Sequence, residues 1–73
     1  MSNLLGSLEV LLNGQPYAVA EGQTLLDFVR SLELEPARVA VELDGQILKR
    51  DLWAQTELKA GARLELVHFV GGG

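Results

Sequence analysis

Residues 63–70 read Arg63-Leu64-Glu65-Leu66-Val67-His68-Phe69-Val70, a strand pattern with apolar side chains on both faces. Because successive side chains of a strand point to opposite faces, Leu64, Leu66 and His68 share one face, and Arg63, Glu65, Val67 and Phe69 share the other. A strand that is apolar on both faces lies in the centre of its sheet, or has one face covered by something outside the chain. We therefore expect this segment to be a central strand.

The segment SLEVLLNGQPYAVA, residues 7–20, predicts a β-hairpin. Leu8, Val10 and Leu12 alternate with other residues up to Asn13-Gly14, a dipeptide that tolerates the positive φ angles of a type I′ turn. Pro16 cannot donate a hydrogen bond to a ladder, so the returning strand belongs at a sheet edge. The first strand then lies beside the last strand, in parallel with it.

The next segment predicts a helix. Thr24 and Asp27 have the spacing of a capping box, with the shorter acid in place of glutamate. Apolar residues follow at helical spacing, at Leu25, Phe28, Val29 and Leu32. This stripe needs a sheet to pack on.

Residues 39–61 predict a second hairpin and a crossover. VAVELDGQIL, residues 39–48, alternates up to Asp44-Gly45, another hairpin dipeptide. A helical turn near residues 51–54 follows, with Trp53 expected to plug the side of the core. The order ββαββ gives an α+β fold, a mixed sheet with one main helix packed on one face.

A single helix covers only one face of that sheet. Leu11, Val67 and Phe69 are predicted on the other face, and exposed apolar residues there indicate a partner-binding surface.

Length and charge limit the function classes. A chain of 73 residues forms one domain, here residues 8–70, between a flexible lead at residues 1–7 and a flexible tail at residues 71–73. The net charge of −4 disfavours nucleic acid and anionic membranes, and the absence of cysteine rules out a thiolate metal site. No apolar run approaches the roughly 20 residues of a membrane span and no leader pattern is present, so we expect a cytoplasmic protein that is a monomer when free.

The sequence has no pattern that indicates catalysis. His68 is the only histidine and has no second ligand at metal-binding spacing, and the serines have no neighbouring base. We predict no catalytic residue and no metal site.

Five segments carry a family resemblance: LNG at 12–14, EGQTLLDF at 21–28, VAVELDGQIL at 39–48, the crossover from Arg50 to Trp53 with Thr56 and Leu58, and LVHFVGGG at 66–73. The order of the predicted elements resembles that of the β-grasp, or ubiquitin-like, fold. The residues of these segments are similar to those of the thiamine-biosynthesis sulfur carrier (ThiS) family. Two features depart from the family pattern. Lys49 stands where many members have proline, and Gly71 precedes the two glycines, Gly72 and Gly73, that match the family ending.

The resemblance implies a protein cosubstrate and not an enzyme. In the family, an E1-like enzyme uses ATP to adenylate the C-terminal glycine, which corresponds to Gly73 here. A sulfur donor, such as a cysteine desulfurase, then converts the adenylate to a thiocarboxylate, and thiazole synthase receives the sulfur. The resemblance implies no bound cofactor, since the adenylating partner uses the ATP.

The glycine ending suits this chemistry. A terminal carboxylate is ionised at neutral pH and is a poor electrophile, so it needs activation. Glycines at positions 71–73 keep the thread narrow where it enters an enclosed site. The glycines could instead be a frayed end. Alternative functions for the whole chain are a noncovalent ubiquitin-like binding module and the small subunit of molybdopterin synthase, which uses the same thiocarboxylate. Blocking the terminus separates the binding module from both carriers.

Overall fold

The computed structural model describes residues 6–69, which form a five-stranded mixed sheet in the order β2-β1-β5-β3-β4. The strands are β1 Ser7–Leu12, β2 Gln15–Ala20, β3 Val39–Leu43, β4 Gln46–Ile47 and β5 Arg63–His68. The helices are α1 Leu25–Ser31 and two 3₁₀ helices, Pro36–Arg38 and Arg50–Gln55. β5 therefore lies in the centre, as its two apolar faces predict. The predicted flexible lead and flexible glycine tail fall mostly outside the described residues and stay predictions.

The pairing of β5 confirms the predicted parallel neighbour. β1 runs parallel to it, with Leu11 opposite Arg63 and Leu12 opposite Leu64. On its other side β3 runs antiparallel to β5, and their pairing extends from Leu43 opposite Leu64 to Val39 opposite His68. β5 thus has strand partners on both sides at its start and on the β3 side along its whole length.

Both hairpin turns have the predicted backbone. Asn13 and Gly14 have φ angles of 50° and 83°, and Asp44 and Gly45 have 52° and 88°. Two consecutive positive φ angles define a type I′ turn, whose twist matches that of the flanking strands. Pro16 lies on the edge strand β2, as expected.

The capping box at the start of α1 is confirmed. The Thr24 hydroxyl accepts from the Asp27 backbone N–H at 3.1 Å, and the Thr24 N–H donates to the Asp27 carboxylate at 3.3 Å. The helix then buries the predicted apolar stripe through Leu25, Phe28 and Val29. α1 is thereby fixed against the sheet.

Trp53 lies in the core beneath the crossover, as predicted. It is buried, and its indole N–H donates to the Leu48 carbonyl at 3.0 Å. The guanidinium of Arg50 lies over the indole ring at 5.7 Å from its centroid. The surrounding 3₁₀ helix, Arg50–Gln55, is longer than the single turn predicted at residues 51–54.

The core occupies one face of the sheet only. Its buried members are Val10, Val19, Leu25, Phe28, Val29, Val39, Val41, Trp53, Leu58, Ala62 and Leu64. The strand residues among them alternate with residues that point to the opposite face, which we call the open face. Within residues 6–69, no helix is long and apolar enough to cross a membrane.

Candidate functional site

The open face carries a group of apolar side chains where β3, β4 and β5 meet. Ala40 lies opposite Val67, and Glu42 lies opposite both Glu65 on β5 and Ile47 on β4. Phe69 continues the alternation of β5, since its N–H donates to the Arg38 carbonyl at 2.8 Å. We call Ala40, Glu42, Ile47, Glu65, Val67 and Phe69 the open-face patch.

The apolar members of this patch are exposed to an unusual degree. Ile47 is 77% exposed, Val67 is 55% exposed and Phe69 is 56% exposed. Exposed apolar residues are common when they are scattered singly, but a contiguous group indicates an interaction surface. The structure therefore has a candidate interaction surface at the end of β5, and its use by a partner stays a prediction.

The structure brings together two of the three residues predicted to bind a partner. Val67 and Phe69 lie together in the open-face patch. Leu11 lies on the same face but is opposite Arg63, four residues earlier on β5 and hence about 13 Å from Val67 along the strand. Leu11 is also half-buried. It is separate from the patch.

The sequence prediction missed Ile47, the most exposed of the large apolar residues described. β4 is only two residues long, so no alternation pattern marks its faces. The register of the Asp44-Gly45 turn is the signal that identifies it. A two-residue type I′ hairpin places Ile47 opposite Glu42, and therefore on the face that carries Glu65 and Val67.

Two like charges face each other in the patch. Glu42 and Glu65 are direct partners across β3 and β5, a position at which Cβ atoms are about 4.5–5.5 Å apart. Within residues 6–69, neither carboxylate takes part in a side-chain hydrogen bond. Ala40, Val41, Ile47 and Val67 line a hollow of about 170 Å³ together with these two glutamates.

Asn13 anchors β5 beyond the end of β1. Its backbone N–H donates to the Leu64 carbonyl at 2.8 Å, and its side-chain oxygen accepts from the Leu66 N–H at 2.8 Å. The side chain thus takes the place of a further strand residue. β5 is held on both sides up to Leu66, three residues before Phe69.

A second groove, of about 620 Å³, lies along the free part of β3 beside the patch. Phe69 and Ile47 line it, together with Lys49, Arg50 and the buried Trp53. Arg50 is fixed there, because its Nε donates to the Pro36 carbonyl at 2.9 Å while the guanidinium stacks on Trp53. Asp51 also lines the groove, so its charged side chains near the end of β5 are two cations and one carboxylate.

The predicted attachment residue, Gly73, and the predicted tail residues, Gly71 and Gly72, lie outside the described residues, and their roles stay predictions. His68 is exposed at the end of β5. Residues 6–69 contain no group of three or more histidine or acidic side chains placed to hold a metal ion.

Comparisons with known proteins match nearly the whole chain. The model of the ThiS family matches residues 10–73. Among curated proteins, the chain is 30% identical to the sulfur carrier protein ThiS of Escherichia coli, over 90% of this chain and 100% of that protein. A thiazole synthase of Magnetococcus marinus is 33% identical over 66 residues, and the chain spans only 20% of its length.

A solved structure has the same fold. The crystal structure of the thiamine biosynthesis protein ThiS from Geobacter metallireducens aligns with a TM-score of 0.76 at 32% sequence identity. The alignment covers 90% of this chain and 100% of that one. The sheet order and single main helix described above are therefore those of a β-grasp domain.

Proposed function

Because the chain belongs to the ThiS family of sulfur carrier proteins, we propose that it carries sulfur on the carboxylate of Gly73 for the synthesis of the thiamine thiazole. It is a carrier and not a catalyst. An E1-like partner adenylates the carboxylate with ATP, a sulfur donor such as a cysteine desulfurase supplies the sulfur, and thiazole synthase receives it. We place these steps in the cytoplasm, where ATP is available.

The chemistry follows from the state of the carboxylate. Its oxygen attacks the α-phosphorus of ATP, pyrophosphate leaves, and the resulting acyl adenylate has AMP as a good leaving group. With sulfide as the donor, a carbon–sulfur bond forms and the carbon–oxygen bond to AMP breaks, which leaves a thiocarboxylate. The chain contributes a carboxylate on a narrow thread, since glycine has no side chain to obstruct an enclosed site.

The match through Gly73 is the observation that carries this proposal, because it includes the glycines as well as the fold. The anchoring of β5 supports it. A carrier has to present its reactive end at a defined place, and β5 is held by β1, β3 and Asn13 up to Leu66. A fixed base limits the conformational freedom that the partner has to remove on binding.

Thiazole synthase as the receiving enzyme rests on a separate observation. Two relatives named thiazole synthase, from Magnetococcus marinus and Paramagnetospirillum magneticum, each contain a stretch similar to this chain that makes up 20% of their length. A carrier-like segment within the chain of a thiazole synthase indicates that the two act on each other.

Intact-protein mass spectrometry tests the proposal. The protein is incubated with ATP, sulfide and the adenylating enzyme of the same organism, and we expect a mass increase equal to replacement of one oxygen by one sulfur. The control is the same protein with one alanine appended after Gly73, which should not react. A noncovalent binding module would show no mass change in either sample. A molybdopterin synthase subunit would form the thiocarboxylate but would not supply sulfur to thiazole synthase.

A further inference from the structure

We infer that Asn13 is a positioning residue for the reaction at Gly73, because its side chain fixes the direction in which β5 leads toward the C-terminal carboxylate. This inference rests on the proposed function and adds to it a residue that acts through β5 and not on the reacting atoms. The sequence predicts Asn13-Gly14 only as a hairpin turn.

β5 extends beyond the end of β1, its parallel neighbour. β1 ends at Leu12, which lies opposite Leu64, whereas β5 continues to His68. The backbone N–H of Asn13 continues the ladder by donating to the Leu64 carbonyl at 2.8 Å. The chain then turns away into β2, so the next backbone groups of β5 on this side need another partner.

The side-chain amide of Asn13 is that partner. Its Oδ1 accepts from the Leu66 N–H at 2.8 Å, and its Nδ2 donates to the Leu66 carbonyl at 3.4 Å. A carboxamide has both an acceptor and a donor, like the peptide group of a neighbouring strand. It therefore serves both backbone groups of one β5 residue, and the shorter bond is the stronger of the two.

The turn alone does not explain these bonds. The first residue of each type I′ turn has nearly the same φ, 50° at Asn13 and 52° at Asp44, so either residue type permits the turn. Asparagine and aspartate that serve only a turn bond to the backbone about two residues further on. The Asn13 amide instead bonds a residue 53 positions away in the sequence.

The place of Leu66 along β5 connects this contact to the tail. On the β3 side, β5 is paired as far as His68, and the Phe69 N–H donates to the Arg38 carbonyl. On the β1 side, within residues 6–69, the bonds of β5 end with those between Asn13 and Leu66. Without them the end of β5 would be held by β3 alone, and a two-stranded ribbon twists more strongly than a wider sheet. Loss of the amide therefore changes the direction in which the strand points.

That direction matters for a carboxylate that has to enter an enclosed site. Seven residues follow Leu66, and an extended chain of seven residues spans at most about 25 Å. Misplacement of a reacting group by about 1 Å can lower a rate by up to about a hundredfold. Part of a misdirection is corrected by the four residues after Phe69, so the expected loss is moderate.

The test compares the unmodified chain with Asn13→Gly in initial rates of thiocarboxylate formation, with ATP, sulfide and the adenylating enzyme of the same organism. Glycine tolerates a positive φ, so the turn persists and only the side-chain amide is lost. The matched control is Asp44→Gly. It removes the bond of 2.9 Å between the Asp44 carboxylate and the Arg63 N–H, which ties the other type I′ turn to the start of β5. The conservative variant Asn13→Asp keeps an acceptor for the Leu66 N–H and loses the donor.

We expect kcat/KM for Asn13→Gly to fall about three- to tenfold, because the partner then has to order a strand end that is fixed in the unmodified protein. Asp44→Gly should keep the unmodified kcat/KM with a similar decrease in melting temperature, and Asn13→Asp should recover most of the rate. Amide hydrogen exchange gives a readout that a purely structural role would not move. In Asn13→Gly it should accelerate at Leu66, Val67 and Phe69 and stay unchanged in α1.

A kcat/KM for Asn13→Gly within about twofold of that for Asp44→Gly would overturn the inference and leave the sulfur carrier function in place. Faster exchange throughout the sheet, or melting of Asn13→Gly below the assay temperature, would also overturn it, because Asn13 would then stabilise the whole fold. Absence of thiocarboxylate in the unmodified protein would refute the proposed function, and the positioning role with it.

Discussion

Replacing Ile47 with alanine should weaken docking to thiazole synthase and to the adenylating enzyme while leaving the fold nearly as stable. Ile47 is 77% exposed, so about a quarter of its side chain is removed from water in the free domain. Full burial of an isoleucine contributes about 1.5–3 kcal/mol, and a quarter of that is roughly 0.4–0.7 kcal/mol. Loss of a β-branched residue from an edge strand adds a few tenths more. The expected decrease in the free energy of unfolding is about 1 kcal/mol or less.

The expected effect on binding is larger. A partner that covers the open-face patch buries the remaining three quarters of the Ile47 side chain, which contributes about 1–2 kcal/mol. Its loss weakens binding by roughly five- to thirtyfold. Urea denaturation measures the decrease in the free energy of unfolding, and titration calorimetry with each partner measures the loss of binding affinity.

Leu52 provides a matched control. It is 43% exposed and also apolar, but it lies on the 3₁₀ helix Arg50–Gln55, which packs with α1 on the other side of the sheet. Leu52→Ala should cost the fold as much as Ile47→Ala or more and leave binding unchanged. Equal weakening of binding by the two variants would refute the assignment of the docking surface. So would normal binding by Ile47→Ala.

Four other predictions address the tail, the patch and the core. Phe69→Glu should weaken docking to both partners by about 2 kcal/mol or more. If thermal melts show that the free energy of unfolding falls by more than the free energy of binding, the ring lies in the core instead. One residue appended after Gly73 should abolish thiocarboxylate formation without changing the melting temperature, and normal pyrophosphate exchange by the extended protein would contradict this. Val67→Ala should weaken binding more than Leu11→Ala does. A larger loss of affinity for Leu11→Ala in titration calorimetry would show that the docking surface lies nearer β1. Trp53→Phe should destabilise the fold by about 2 kcal/mol in urea, through lost volume and an unpaired Leu48 carbonyl, and an unchanged midpoint would show that neither matters.

Local sequence patterns were sufficient for most of the fold. The type I′ turn at Asn13-Gly14, the capping box at Thr24 and the central position of β5 each follow from a short segment, and the structure confirms them. These features depend on backbone preferences and on which side chains need burial. Both are properties of the residues themselves.

The layout of the open face could not be predicted in the same way. Alternation assigns Leu11 and Val67 to one face, but it does not give the stagger between strands. β1 and β5 overlap at only two residue pairs, so Leu11 lies opposite Arg63 and far from Val67. The opposition of Glu42 and Glu65 likewise depends on the register of β3 against β5. Stagger and register are set by packing of the whole core, which no single segment encodes.

Under the proposed function, the distance from Phe69 to the carboxylate of Gly73 limits where a partner can place its active site. Four residues follow Phe69 in the sequence, and an extended chain of four residues spans at most about 14 Å. Because β5 is held up to Leu66 by Asn13 and β3, the start of that span is fixed relative to Ile47 and Val67. An enzyme that docks on the open-face patch must therefore have its reacting group within about 14 Å of the site that receives Phe69. The adenylating enzyme and thiazole synthase should share this spacing even where their surfaces share nothing else.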